Sequence, residues 1–129
     1  KKFTKQQVQQ LFLSVNWTSG NYPERLYRAL LHSSTVLTAW DGDRLVGLIR
    51  ALDDTAMLAQ IHYVLVHPAY HGQGIAGHML ELIKEKYRDF LYIEAMPEDK
   101  NNVPFYQKHG FSVMENGAAI QICNYNGKK

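Results

Sequence analysis

The chain has 129 residues, 46% of them hydrophobic and 20% charged, which suits one domain (1–129) with a buried core and excludes intrinsic disorder as the default. Its formal net charge of +2 comes from scattered Lys and Arg, so nucleic acid is not an expected partner, and its single cysteine, Cys123, excludes an internal disulfide and a metal site built from several thiolates. No apolar run reaches the roughly 18–20 residues that a spanning helix needs, and Lys1-Lys2-Phe3-Thr4 has no leader-like apolar stretch, so the expectation is a soluble, cytoplasmic protein with no membrane partner. Because the first residue is lysine, the expectation leaves room for a short preceding segment, with a first edge strand, outside this sequence.

Thr4 and Gln7 have capping-box spacing, and Val8, Leu11, Phe12 and Val15 follow at intervals of three and four, which predicts a first helix. After Gly20-Asn21, Pro23 suits a first helical turn, and Leu26, Tyr27, Leu30 and Leu31 form a second stripe ending at Ser33-Ser34. From Thr35 the pattern becomes strand-like: residues 36–40 and 44–52 read as a hairpin around Asp41-Gly42-Asp43, and 57–66 as a third strand stopped by Pro68. Ile75, Met79, Leu80, Ile83 and Tyr87 mark the apolar face of a helix whose other face carries His78, Glu81, Lys84 and Glu85. Residues 90–96 read as a strand, 102–109 as a short helix closed by Gly110, and 111–115 with 118–124 as a final hairpin around Asn116-Gly117. The order predicts an α+β fold, a mixed sheet with about four helices packed on it.

Gly72-Gln73-Gly74-Ile75-Ala76-Gly77 lies between a strand and a helix and matches G-x-G-x-x-G. Glycines let a backbone approach a ligand closely, and the free N–H groups of a helix N-terminus attract phosphate. A nicotinamide or flavin dinucleotide is one candidate, with Glu94 placed to hold a ribose. Against it, residues 67–71 separate Val66 from Gly72, and the chain that follows ends in a hairpin instead of further βαβ units.

The stretch Val64-Leu65-Val66-His67-Pro68-Ala69-Tyr70-His71-Gly72-Gln73-Gly74-Ile75-Ala76-Gly77 resembles the cofactor motif Q/R-x-x-G-x-G/A of the GNAT superfamily of N-acetyltransferases. His71 stands where that motif has Gln or Arg, while Gly74 and Ala76 match. Phe105-Tyr106-Gln107-Lys108-His109-Gly110-Phe111 resembles the family's F-Y-x-x-x-G-F signature, in the right order and at the family's separation. Asn16-Trp17, Leu45-Val46-Gly47 and Asp99, seven positions before Tyr106, also look like a subgroup that includes plant chloroplast arylalkylamine and lysine acetyltransferases.

The resemblance implies the acyl-CoA N-acyltransferase fold, with a mixed, mostly antiparallel sheet whose cofactor-binding strand splays from its neighbour. It implies acetyl-CoA as cosubstrate and direct transfer to a primary amine, without a metal. The main chain of Val64, Leu65 and Val66 would pair with pantetheine, and the amides of His71, Gly72, Gln73, Gly74, Ile75, Ala76 and Gly77 would hold the pyrophosphate. Tyr106 matches the tyrosine that protonates the leaving thiolate, and it borders the cofactor. Asp99, Glu94 and His62 are the candidate bases, each with a plain structural alternative; a water relay could replace all three. Asn102 either contacts the pantetheine arm or caps the short helix. His62, His67, His71 and His78 do not have metal-ligand spacing on one helical face. Trp17, Tyr22 and Tyr27 belong to the core or to the acceptor border. The acceptor itself, a small-molecule or peptide amine, is not named by the sequence, and a homodimer through the C-terminal strands would suit the family. A non-catalytic acetyl-CoA sensor remains the alternative class.

Overall fold

The N-terminal helices form where their local signals stand. In the computed structural model, which describes residues 2–125, α1 spans Lys5–Ser14 behind a closed capping box. Thr4 Oγ1 accepts the Gln7 N–H at 3.1 Å, and Gln7 Oε1 accepts the Thr4 N–H at 2.8 Å. The helix ends before Asn16, which takes φ 60°, and a 3₁₀ turn (Thr18–Asn21) leads into α2 (Pro23–Leu31) with proline in its first turn. Glu24 sits in that turn, where the helix dipole favours an anion, and pairs with Lys5. Val8, Leu11, Phe12, Leu26 and Leu30 form one core with Leu45, Leu48 and Leu65 of the sheet.

The sheet runs β1 (Thr35–Asp41), β2 (Arg44–Asp53), β3 (Leu58–Val66) and β4 (Tyr92–Ala95), in that spatial order. The first three strands are antiparallel and β4 is parallel to β3, the mixed, mostly antiparallel sheet expected. Leu48 and its cross-strand partner Leu65 face α1 and α2, whereas Ile49, Ala51, Ala59 and Ile61 are buried on the opposite face, where α3 (Ile75–Lys86) packs. Gly47 allows that packing: a Cβ there would lie 3.2 Å from Ala39 Cβ, 3.2 Å from Met79 Cε and 3.3 Å from Ile75 Cγ2. At the other end of α3 the Tyr87 hydroxyl donates to Asp53 (2.7 Å) and lies 2.6 Å from Thr35 Oγ1, fastening the helix to β1 and β2.

Two irregularities of β3 matter for function. Arg50 pairs with Tyr63 and Ala51 with Ile61, so His62 is an extra residue in a β-bulge. Pairing between β3 and β4 covers only Leu58 to Ile61, while β3 continues to Val66.

The chain divides into two units, one through Ala95 and one from Met96. In the second, a 3₁₀ turn (Lys100–Asn102) precedes α4 (Val103–Lys108), which closes at Gly110 with φ 93°; the Phe111 N–H donates to Tyr106 C=O at 3.1 Å. The expected hairpin at 111–115 and 118–124 is corrected: the turn exists, with the Gly117 N–H donating to Met114 C=O, but neither flank is a strand. Ile120 and Ile122 are 94% and 88% exposed, so their alternating pattern has no buried face to fix a register, and an isolated two-stranded ladder is marginal. Cys123, expected on that strand, lies outside any helix or strand and is exposed. The strand expected at 90–96 is shortened because the Phe90 N–H bonds Tyr87 C=O and its ring packs edge-on against Tyr87. Among the described residues no helix is long and apolar enough to cross a membrane.

Candidate active site

The glycine loop is held from both sides. At the end of β3 the His67 N–H continues the ladder to Val46 C=O (2.8 Å), and its Nδ1 accepts the Ala69 N–H, capping the 3₁₀ turn Pro68–Tyr70. That turn is braced on the β1–β2 hairpin: the Tyr70 hydroxyl donates to Asp41, and the Arg44 guanidinium lies 5.6 Å from the Tyr70 ring centre and 3.0 Å from His67 Nε2. The carboxylate keeps the Tyr70 phenol protonated above its ordinary range. His71 Nε2 donates to the Val66 carbonyl at 2.7 Å, so its ring ties the loop back to the strand.

Gly72 and Gly74 have φ 82° and 78°, a region L-residues rarely adopt, and a Cβ on either would meet nothing within 4 Å. Gly74 is the N-cap of α3 and offers no side-chain acceptor; the first helical bond is His78 N–H to Gly74 C=O (3.0 Å). The amides of Ile75, Ala76 and Gly77 therefore precede the ladder, no acidic residue lies in the first turn, and a 12-residue helix puts its positive end there. Open space, donors and dipole fit a pyrophosphate. A neighbouring cleft of about 540 Å³, lined by Gln7, Gln10, Asp41, Asp43, Arg44 and His67, fits an anion less well because it presents two carboxylates.

Beyond Ile61, alternate backbone groups of β3 on the side away from β2 have no strand partner among the described residues. Val64 is half-buried, and Leu65 and Val66 are buried, so their side chains serve the core and only their main chain is available. This free edge leads directly into the glycine loop.

The sequence model of the "Acetyltransferase (GNAT) family" matches residues 5–111. The chain belongs to that family. An uncharacterized N-acetyltransferase resembling ycf52 from Prochlorococcus marinus is 29% identical over 119 residues, covering 86% of this chain and 64% of its own length. A soybean (Glycine max) histone acetyltransferase, TAP1, is 34% identical over 93 residues, covering 69% of this chain and 40% of its own. The chain thus spans under two thirds of these curated relatives. Among solved structures, a GNAT-family acetyltransferase from Streptococcus pneumoniae aligns with TM-score 0.81 at 28% identity, covering 96% of this chain and 94% of that one. The doubly wound dinucleotide fold is excluded by topology: the strand before the glycines pairs antiparallel with β2 and parallel with β4.

The GNAT motif residues fall in both units. In the first, His62 is exposed on the bulge with its ring 4.3 Å from that of Tyr63, and Glu94 is half-buried on β4 opposite Gln60. Ala59 and Ile61 are buried toward α3, so Gln60, His62, Tyr63, Glu94 and Arg50 share the other face. In the second, Asp99 is exposed and its Oδ1 accepts the Asn101 N–H at 2.9 Å, capping the 3₁₀ turn. Asn102 makes no capping bond with its side chain, which corrects the capping alternative. Tyr106 is half-buried between Phe105 and Phe111, and burial raises its phenol above the ordinary 10.0.

Trp17 and Tyr27 pack on the core, and Trp17 lies 6.0 Å from Tyr63. Arg50 was not singled out from the sequence. The available signal was a lone charge inside the apolar run 45–52.

Proposed function

We propose that the chain is an acetyl-CoA-dependent N-acetyltransferase that passes the acetyl group directly to a primary amine in a ternary complex. The observation that carries this is the joining of the β3 edge at 63–66, which β4 does not pair, to a glycine loop whose positive-φ residues open onto the α3 N-terminus. Bound acetyl-CoA supplies the activated thioester.

The amides from Gly72 to Gly77 bind the pyrophosphate, and the edge of β3 orients the pantetheine arm and offers an N–H near Val64 to the thioester carbonyl. His71 acts through position: its bond to Val66 C=O sets the angle at which strand enters loop. An acceptor ammonium must lose a proton before attack, because a free alkylamine has a pKa of about 10. Glu94 and His62 are the bases we favour, both on the β3–β4 face, while Asp99 Oδ1 accepts the Asn101 N–H in a turn. Tyr106, matched to the family's acid by its motif, gives its proton to the departing thiolate; the phenol is neutral at physiological pH, and burial shifts its ionisation further above the ordinary 10.0. Amide and free thiol are the products, and the proton taken from the amine restores the balance. No acetyl-enzyme forms.

Thiol release from acetyl-CoA in the presence of mixed primary amines, with mass spectrometry of the amine products, tests the reading. Amine-dependent release with matching acetylated amines is expected. CoA binding without turnover on any amine would leave a sensor in its place.

A further inference from the structure

Arg50 has no role in acetyl transfer as described above, yet it is held in a costly way. Only 8% of its surface is exposed, its Nε makes no hydrogen bond, and no carboxylate among the described residues lies within ion-pair distance. Its partner is the face of Tyr63, 4.7 Å from guanidinium carbon to ring centre. One cation–π contact offsets only part of the cost of desolvating a guanidinium. A methionine or glutamine would fill the same space without that cost, so the charge itself calls for an explanation.

The surroundings supply one. Tyr63 is fixed by Phe12, edge-on at 4.8 Å, and by the Ser19 hydroxyl at 2.9 Å from its own, so the platform under Arg50 is rigid. The bulge at His62 follows the last residue of β3 paired with β4, and Glu94 lies two strands from Arg50 on the same face, making no ion pair with it. This face therefore carries a cation and an anion that are not spent on each other, beside the strand edge assigned to the thioester.

We propose that Arg50, seated on Tyr63, binds a carboxylate of the acceptor, so that the acceptor is a small amino acid-like amine whose ammonium end is drawn toward Glu94. The inference rests on the acetyltransferase reading. A carboxylate is preferred to a phosphate because it is planar and small, and little of the Arg50 side chain is open to a bulkier anion.

The test compares amino carboxylates of increasing spacer length with their matched carboxamides on the full chain. Two readouts are taken: thermal stabilisation of the CoA-saturated protein, and kcat/KM in thiol release with acetyl-CoA. Carboxylates should stabilise and carboxamides should not, and kcat/KM should favour the carboxylate by about 30-fold or more. Arg50→Gln should erase the preference while binding CoA like wild type. If it does not fold, the wild-type comparison decides alone. Carboxamides turned over as fast as matched carboxylates would overturn the proposal and leave the transferase standing, as would preference unchanged in Arg50→Gln. Carboxylate-specific stabilisation without acetylation of any amine would uphold the subsite and sink the transferase reading. Stabilisation by no carboxylate, with no preference in rate, would overturn the subsite.

Discussion

Gly74→Asp should abolish CoA binding with little effect on folding, and the two effects can be estimated separately. For folding, a side chain at φ 78° costs roughly 1–2 kcal/mol, but its Cβ would meet nothing within 4 Å, so there is no packing penalty. Aspartate at this position is also the N-cap of α3, where a side-chain acceptor is worth about 1 kcal/mol and none is now present. The two nearly cancel. For binding, the new carboxylate occupies the amides that would hold phosphate and sets a negative charge against it. At about 4 Å and an effective dielectric of about 20, that repulsion is about 4 kcal/mol, on the order of 10³-fold in affinity. Gly74→Ala carries the strain without the charge and should lose far less. Calorimetric titration with CoA, alongside thermal denaturation, measures both terms. An aspartate variant that melts normally and binds CoA within a few-fold of wild type would refute the assignment of the α3 N-terminus to pyrophosphate.

Tyr106→Phe should lower kcat by about 10²–10⁴-fold with CoA affinity near wild type; an unchanged kcat removes the phenol from the mechanism. Burial raises this pKa in the folded state, so the stability linked to the neutral phenol is complete below pH 10.0 and is lost as pH rises through the higher folded value. Melting curves of wild type should fall relative to Tyr106→Phe only in that alkaline window, and wild-type turnover should decline there too. Gly47→Ala should destabilise by about 1–3 kcal/mol in urea denaturation, because Ala39 Cβ at 3.2 Å belongs to a paired strand and cannot give way as Met79 can. His71→Ala should lower CoA affinity only several-fold, through a loosened strand-to-loop angle, with the thermal midpoint falling by a few degrees as one hydrogen bond is lost. Complete loss of binding would give the ring a direct contact with the ligand.

Where a signal is local, sequence and structure coincide. Thr4 with Gln7, Pro23, the Asp41-Gly42-Asp43 turn and Gly74 at the head of α3 are short-range steric and hydrogen-bonding devices, complete within four residues, and each stands where it was expected. The paired motifs at 64–77 and 105–111 likewise identified the family, because backbone approach to a phosphate demands glycine at particular offsets.

What the sequence could not decide depends on partners distant along the chain. The alternation at 118–124 reads as strand, but a ladder needs a neighbour and a face to bury, and Ile120 and Ile122 have neither. The extra residue at His62 and the parting of β3 from β4 after Ile61 follow from registers between strands, which no single segment encodes. Asp99 and Asn102 had balanced readings until the turn geometry showed which side chain was spent on capping. Arg50 is the clearest case. In the sequence it is one charge in an apolar run, and only the stacking of Tyr63 between α1 and β2 makes it a buried cation in want of an anion. Desolvation is a property of the assembled core, so tertiary structure alone could reveal it.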